Sequence, residues 1–294
     1  MIVFFGKHEI IEQWRKILQG DMGYAFCQTY DELSHYPSKN TTIVYVQIHS
    51  LPSLRIAVKL KLKGYTICKW WAGTDCRYLH DANPAMKFLS KIIYRLCIYR
   101  NFSAAPWLSD RLEKCGLPPY YLHTSTPVFL LDETFNLNEI CEKKTKPISE
   151  VLIYSNPDRH WIYNTDMMLK LANETPNIMF TFIGDTTVDV ANIPNARSLG
   201  HISQDELFAL YRTNPVLLRI TSHDAHARMV IEAMYFGLQV ITNWPAPHAI
   251  QCHNIEEIQR ILQRSLGFNK SGYDYVRSEL NLEKWKVRLL EAVK

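Results

Sequence analysis

Short apolar runs alternate with amphipathic stretches along the chain. Runs rich in β-branched or aromatic residues predict strands, and apolar positions recurring at three and four predict helices. The first half reads as a strand at 1–5, a helix at 9–18, a strand at 41–48 and a helix at 53–64 ending at Gly64. A strand at 65–71, a helix at 87–100, a strand at 101–105, a helix from Pro106 to Gly116 and a strand at 119–124 follow. Residues 127–147 keep no period and end in a lysine cluster and Pro147, so their C-terminal part is the predicted linker. The alternation then restarts: strand 151–155, helix 165–175 with Thr165 as N-cap, strand 178–185 and short strand 196–202. Next come helix 203–214, whose Ser203 and Glu206 form a capping-box pattern, strand 216–222, helix 227–237 and strand 239–243. Helical patterns at 255–267, 271–280 and 282–293 close the chain.

Two successive βαβα runs predict an α/β protein with two doubly wound, Rossmann-like domains, 1–147 and 148–294. Ligands of such sheets sit beyond the carboxyl ends of the strands, which for two facing domains means the cleft. The 294 residues suit two domains at roughly 100–200 residues each. A composition of 47% hydrophobic and 21% charged residues excludes wholesale disorder. No window approaches the roughly 18–20 apolar residues of a membrane span. MIVFFGKHE lacks a basic n-region and a cleavage site, so a cytoplasmic location is expected.

The seven cysteines form no C-x-x-C pair and no cluster with zinc-site spacing, which predicts reduced thiols and no metal centre. Charge is uneven. Residues 1–145 hold 18 Lys/Arg against 13 Asp/Glu, whereas 146–294 hold 15 against 16. Lys59, Lys61 and Lys63 lie in one predicted helix, and Lys87, Lys91 and Arg95 recur every fourth residue in another. These are solvated helix faces or a peripheral contact with the anionic inner face of a membrane. No nucleic-acid-binding signature accompanies them, and no nucleic-acid partner is expected.

The stretch from Leu217 to Asn243 carries the most specific chemistry. A buried strand runs into the small-residue loop SHDAHA, and a helix starts near Ala227. Asp224 and Glu232 are eight apart, one just outside the helix and one within it. Loop amides and a helix N-terminus suit a phosphate. An acid at the loop can grip sugar hydroxyls, and a deeper one can hold a ribose diol, as in dinucleotide sites.

Residues Asp224 to Glu232, continuing Ala233-Met234-Tyr235-Phe236-Gly237-Leu238-Gln239-Val240-Ile241, resemble retaining glycosyltransferases of the GT-B fold, in particular family 4. That family has Glu, a Gly-Phe-Gly-like loop, a second Glu eight residues on, then Ala-Met/Leu-Ala-x-Gly-x-Pro-Val-Ile. The resemblance implies that Asp224 binds donor-sugar hydroxyls, that Ala225, His226 and Ala227, with Arg228 behind them, meet the diphosphate, and that Glu232 binds the ribose. Ser198-Leu199-Gly200-His201-Ile202 is similar to the family's segment beside the nucleobase, which brings in Gly200. The family's Arg and Lys against the leaving diphosphate are missing at Asn156 and at Trp161 to Tyr163. Arg159 and Arg219 are the expected clamp, with His160 beside them, since guanidinium forks match phosphate geometry. In the first domain Trp71-Ala72-Gly73-Thr74-Asp75 resembles the family's Gly-Ser/Thr-Asp loop, and residues 104–112 its "vSpwLaeeL". Gly73, Thr74 and Asp75, with Gly6 after the first strand, complete the expected substrate-binding residues.

The resemblance implies transfer of a sugar from a nucleotide diphosphate-sugar to an acceptor hydroxyl with retention, without a metal or other cofactor. The first domain takes the acceptor side, and the second takes the donor, with its C-terminal helices packing back. The acceptor is a glycan, a lipid-linked molecule or a protein. Two alternatives stand beside it. One is a nucleotide-sugar epimerase on the same fold. The other is a non-catalytic GT-B-like partner subunit, which the missing Arg/Lys pair and Asp224 in place of Glu suggest.

Overall fold

The computed structural model describes residues 1–6, 9–18, 20–46, 49–71, 73–123, 148–214, 216–224 and 227–294. The expected linker at 127–147, Ala72, Ala225 and His226 lie outside the described residues. The chain divides into two compact units, residues 1–131 with 280–294, and residues 132–279.

In the first unit the strands are β1 (Ile2–Phe5), β2 (Tyr24–Cys27), β3 (Thr42–Val46), β4 (Thr66–Trp71), β5 (Arg100–Ser103) and β6 (Pro119–Tyr121). They form one parallel sheet in the order β2-β1-β3-β4-β5-β6. Its helices are α1 (Glu9–Ile17), α2 (Tyr30–Ser34), α3 (Leu51–Leu62), α4 (Gly73–Asp81), α5 (Pro84–Cys97) and α6 (Pro106–Lys114). Phe4 on β1 meets Trp14 of α1 at 4.7 Å and stacks on Phe26 of β2 at 5.2 Å. Trp14 turns its edge to Trp70 of β4 at 4.8 Å. Helix starts follow local chemistry. Ser50 and Ser53 form a capping box, and Asn83 caps α5 with Pro84 in its first turn.

Three elements here depart from the sequence reading: β2, the short helix α2 that Thr29 caps, and α4. β2 carries no β-branched run and is a half-exposed edge strand, so its pairing with β1 defines it. The Gly73-Thr74-Asp75 stretch, expected as a loop, opens α4. Asp75 sits in its first turn, where a carboxylate suits the helix dipole, and it pairs inward with Lys69 of β4.

That pair belongs to a buried polar network. Lys69 Nζ donates to Asp75 Oδ2 and to the Trp70 carbonyl, both at 2.9 Å. It also lies 4.8 Å from the centre of the Trp71 ring. His49 is buried nearby and shares a 2.9 Å hydrogen bond between Nδ1 and the Tyr94 hydroxyl. Burial, then the Lys69 charge, push the His49 pKa down to about 4. A histidine whose folded pKa is depressed contributes stability that is present above its unfolded pKa and is lost as pH falls toward the folded value. Acidification from pH 7 to 4 is therefore expected to remove about 3 kcal/mol through His49 alone. Chemical denaturation across that range checks this, and a His49→Gln variant with the same pH slope as the parent would exclude it.

The second unit holds β7 (Glu150–Tyr154), β8 (Met179–Ile183), β9 (Ala196–Ser198), β10 (Val216–Arg219), β11 (Gln239–Thr242) and β12 (Ile250–Gln251). Their parallel sheet runs β12-β11-β10-β7-β8-β9. Around it stand α7 (His160–Tyr163), α8 (Thr165–Glu174), α9 (Gln204–Thr213), α10 (Arg228–Tyr235), α11 (Ile255–Leu262) and α12 (Lys270–Glu279). Val151, Ile153, Phe180, Phe182, Val216 and Leu218 build the core from the strand side, and Leu171 of α8 and Ile258 of α11 close it. The Ser203–Glu206 capping box forms as the sequence predicts. Thr165, expected as an N-cap, is instead the first residue of α8, and left-handed Asn164 takes the cap position. Thr165 has another task, described below.

The last helix, α13 (Leu282–Val293), packs in the first unit through Trp285, whose ring lies 5.7 Å from that of Trp14. The described cysteines are all free thiols. Among the described residues no helix is long and apolar enough to cross a membrane.

Candidate functional site

In the second sheet the chain runs outward from β7 to β8 and β9, then returns to place β10 on the other side of β7. Such a switch point opens a crevice beyond the carboxyl ends of the two central strands. Ser155 follows β7 there, and Arg219 ends β10. In the first sheet the same switch lies between β1 and β3, where Gly6 follows β1.

Arg219 and Asp224 form a bidentate pair, with Nε to Oδ2 at 2.6 Å and Nη2 to Oδ1 at 3.1 Å. Both side chains are only 10% exposed. Burial works against the Arg219 charge, but Asp224 outweighs it and raises the guanidinium pKa. The guanidinium lies 5.5 Å from the centre of the Tyr163 ring. Burial raises the Tyr163 phenol, and the charges of Arg219, Asp224 and Arg159 all act on it. The structure thus gathers the three residues expected to be catalytic around one tyrosine. It also divides their tasks. Two donors on one edge of Arg219 serve Asp224, whereas Arg159 is exposed and makes no ion pair among the described residues. The loop is held from below. Ser222 N donates to the Ile162 carbonyl at 2.7 Å, and Asn243 exchanges two hydrogen bonds with the Thr221 backbone.

At the carboxyl end of β8, the neighbour of β7 in the sheet, lies a second carboxylate that sequence reasoning missed. Asp185 is fully buried just after β8. Thr187 donates to it through N and Oγ1, Ser155 Oγ at 2.9 Å and His160 Nε2 at 2.5 Å. Because Ser155 spends its proton on Asp185, Thr165 donates to Ser155 across 2.8 Å. Burial opposes the Asp185 charge, yet these donors outweigh it and hold the carboxyl below the usual range. His160 keeps a 37% exposed side chain at the start of α7. The signal in the sequence was Gly184-Asp185 at the carboxyl end of a strand. Gly184 has φ +87°, and a Cβ there would lie 2.4 Å from the Tyr154 ring.

Glu232 is fully buried in α10 and pairs with Arg228, one turn earlier, at 3.2 Å. Burial and then the Glu232 charge raise the Tyr211 phenol well above its ordinary value. Ala227 is the N-cap of α10, without a side-chain cap bond. Gly200 has φ +62°, and its carbonyl accepts from Gly184 N at 2.6 Å. It therefore borders the Asp185 turn. Ala225 and His226 lie outside the described residues. Among the described residues no group of three or more His, Cys, Asp or Glu side chains is arranged to hold a metal ion.

In the first unit Gly6 has φ +143°, and a Cβ there would lie 1.9 Å from the Val46 carbonyl. Close approach of two strand ends requires this glycine. Gly73 and Thr74 lie in the first turn of α4. The Asp75 carboxylate is turned into the buried pair with Lys69.

In sequence, neither a protein-family model nor a curated protein matches the chain. Solved structures do match in shape. Anabaena Alr3699/HepE in complex with UDP-glucose aligns with a TM-score of 0.72 over 99% of this chain and 98% of that one, at 8% identity. A glycosyltransferase from Rickettsia africae aligns at 0.70 over 100% and 97%, at 11% identity. Sucrose-phosphate synthase from Thermosynechococcus elongatus aligns at 0.66 over 97% and 78%, at 15% identity. The chain has the GT-B fold. Its two parallel six-stranded sheets, each wrapped by helices, are the two α/β units of that fold.

Proposed function

We propose that the protein is a glycosyltransferase that moves a sugar from a nucleotide diphosphate-sugar to an acceptor hydroxyl with retention of anomeric configuration. The observation that carries this reading is the Arg219–Asp224 pair at the switch point of the second sheet, with Glu232 in the helix behind it. Asp224 accepts hydrogen bonds from donor-sugar hydroxyls, and Arg219 acts through it by fixing its plane. Arg159, His160 and the start of α10 face the leaving diphosphate, so the reaction uses no metal. Retention without a protein nucleophile places the acceptor on the face the phosphate leaves, and the phosphate takes its proton. Glu232 holds the ribose, after Arg228 turns from it toward the diphosphate. The acceptor is a glycan, a lipid-linked molecule or a protein, and the basic first-unit helices bring the enzyme to the inner face of a membrane.

A thermal-shift screen against UDP-, GDP-, dTDP- and ADP-sugars tests the donor. Uridine donors come first, because the aligned HepE was solved with UDP-glucose. A ligand at a hundred times its dissociation constant adds roughly 2.7 kcal/mol, which a melt resolves. No shift with any donor would turn the reading to the non-catalytic partner. Donor isomerised without an acceptor would turn it to the epimerase.

Glu232→Ala is expected to weaken binding of the free nucleoside diphosphate by roughly 1.5–3 kcal/mol, the worth of a charge-assisted hydrogen bond. Calorimetric titration checks it, and unchanged affinity removes Glu232 from the ribose site. Activity is expected to survive excess EDTA. Full loss on chelation, restored by manganese or magnesium, would overturn the metal-independent mechanism.

A further inference from the structure

Helix α5 is turned the wrong way round for a solvated surface. It buries Ser90, Tyr94 and Cys97 against the first unit. Outward it presents Phe88, 68% exposed, and Leu96, 70% exposed, with Leu89 and Ile92 also on the surface. Phe88, Ile92 and Leu96 follow at four-residue steps, so they form one ridge along the helix. Lys87, Lys91 and Arg95 follow at the same steps one residue earlier, and form a basic ridge beside it. Soluble surfaces carry single apolar side chains, but a contiguous row of large ones marks an interaction site.

Charge says what covers it. α5 contains no Asp or Glu, and neither does α3, which packs against it. The Lys61 charge of α3 acts on the Cys97 thiol, which places the end of α3 beside the end of α5. There Leu62 is 83% exposed between Lys61 and Lys63. At the other end of α5 a cavity of about 350 Å³ is lined by Lys87, Lys91 and Lys114 over Leu79, Phe88 and Leu117. Asp81, close by, is taken by Arg77 and His80.

We propose that α5 and the end of α3 are a docking surface for an anionic lipid bilayer. The Phe88–Ile92–Leu96 ridge lies in the interface, the basic ridge meets headgroup phosphates, and the lysine-lined cavity takes one of them. An apolar ridge flanked by basic side chains is the arrangement of interfacial helices, whose affinity adds apolar burial to attraction by anionic lipid. Long lysine stems let the ammonium groups stay at headgroup level. The surface carries its own argument, and rests on the proposed activity only in bringing that enzyme to an acceptor at the bilayer.

Vesicle flotation tests it with the full chain. The protein is expected to float with vesicles of phosphatidylcholine and phosphatidylglycerol in equal parts, and not with phosphatidylcholine alone. Replacing Lys87 and Lys91 together by Gln should weaken binding roughly 30-fold, at about 1 kcal/mol for each basic residue near such a surface. Replacing Phe88 and Leu96 together by Ser should weaken it by at least about tenfold. Lys87, Phe88 and Leu96 are exposed and Lys91 is half-buried, and the UDP-induced thermal shift of both double variants should equal the parent's, which separates this proposal from the activity itself. No flotation, equal flotation with both vesicles, or parental binding by either double variant overturns the proposal. So does concentration-dependent dimerisation that the Phe88/Leu96 variant abolishes, because the ridge would then face a second copy.

Discussion

Asp224→Asn is expected to lower turnover by on the order of a hundredfold while leaving affinity for the nucleoside diphosphate within about threefold. Asp224 stands in the loop ahead of α10, whereas Glu232 lies in the helix itself, so the proposed donor meets the first through its sugar and the second through its ribose. The Arg219 fork fixes the Asp224 carboxylate in one plane. Asn keeps the size and one acceptor oxygen but loses the charge and half of the fork. Displacement of a reacting group by an ångström costs a factor of that order. The same change removes the counter-ion of a nearly buried guanidinium. Breaking a buried pair from one side costs up to about 3–5 kcal/mol, so the melting temperature falls as well. Turnover is therefore compared at saturating donor, well below both melting temperatures. Arg219→Lys separates the tasks, because it keeps a cation for a phosphate but loses the fork. If Arg219 acts through Asp224, the Lys variant repeats the turnover loss and keeps the affinity. A turnover within about threefold of the parent for Asp224→Asn would make Asp224 a structural loop acid. The non-catalytic partner reading would then move ahead.

Asp75→Ala is expected to destabilise the first unit by about 3–5 kcal/mol. Lys69 is fully buried in the middle of β4, and burial pushes its pKa down while Asp75 pulls it back up. Without Asp75 the ammonium loses this carboxylate and must either stay charged in the buried strand or lose its proton. The double replacement Lys69→Met with Asp75→Leu removes both charges and should recover most of the loss, since well-packed apolar pairs often equal or exceed buried ion pairs. Urea melts of the two variants and the parent decide it. A cost below about 1 kcal/mol for Asp75→Ala would mean that water reaches the carboxylate, and Asp75 would return as a substrate ligand.

The alternation of apolar runs and amphipathic stretches was enough to read two doubly wound α/β units, because parallel strands buried on both faces must be apolar throughout. The element order from β7 to α13 follows the expected one closely, down to the Ser203–Glu206 capping box. Where elements were missed, local signals were weak. β2 exists through its register with β1, and α4 begins on a glycine, with Asp75 in its first turn paired to Lys69 six residues back. Period alone also left the inward face of α5 open. Its spacing marked a helix, but spacing does not say which face turns inward, and here the core takes Ser90, Tyr94 and Cys97.

The site divides in the same way. Acids eight apart that bracket a loop and a helix start are legible in the chain, since spacing and small residues are local properties. What each side chain holds follows from the packing. Arg219 and Asp224 are near in sequence, but their fork closes over Tyr163, which comes from beyond β7. Asp185 lies 25 residues from His160 and 30 from Ser155, and these contacts exist because β7 and β8 are neighbours in a parallel sheet. Long-range pairing of charges in a buried place depends on which strand ends meet, and that is a property of the packed sheet rather than of any window of the chain.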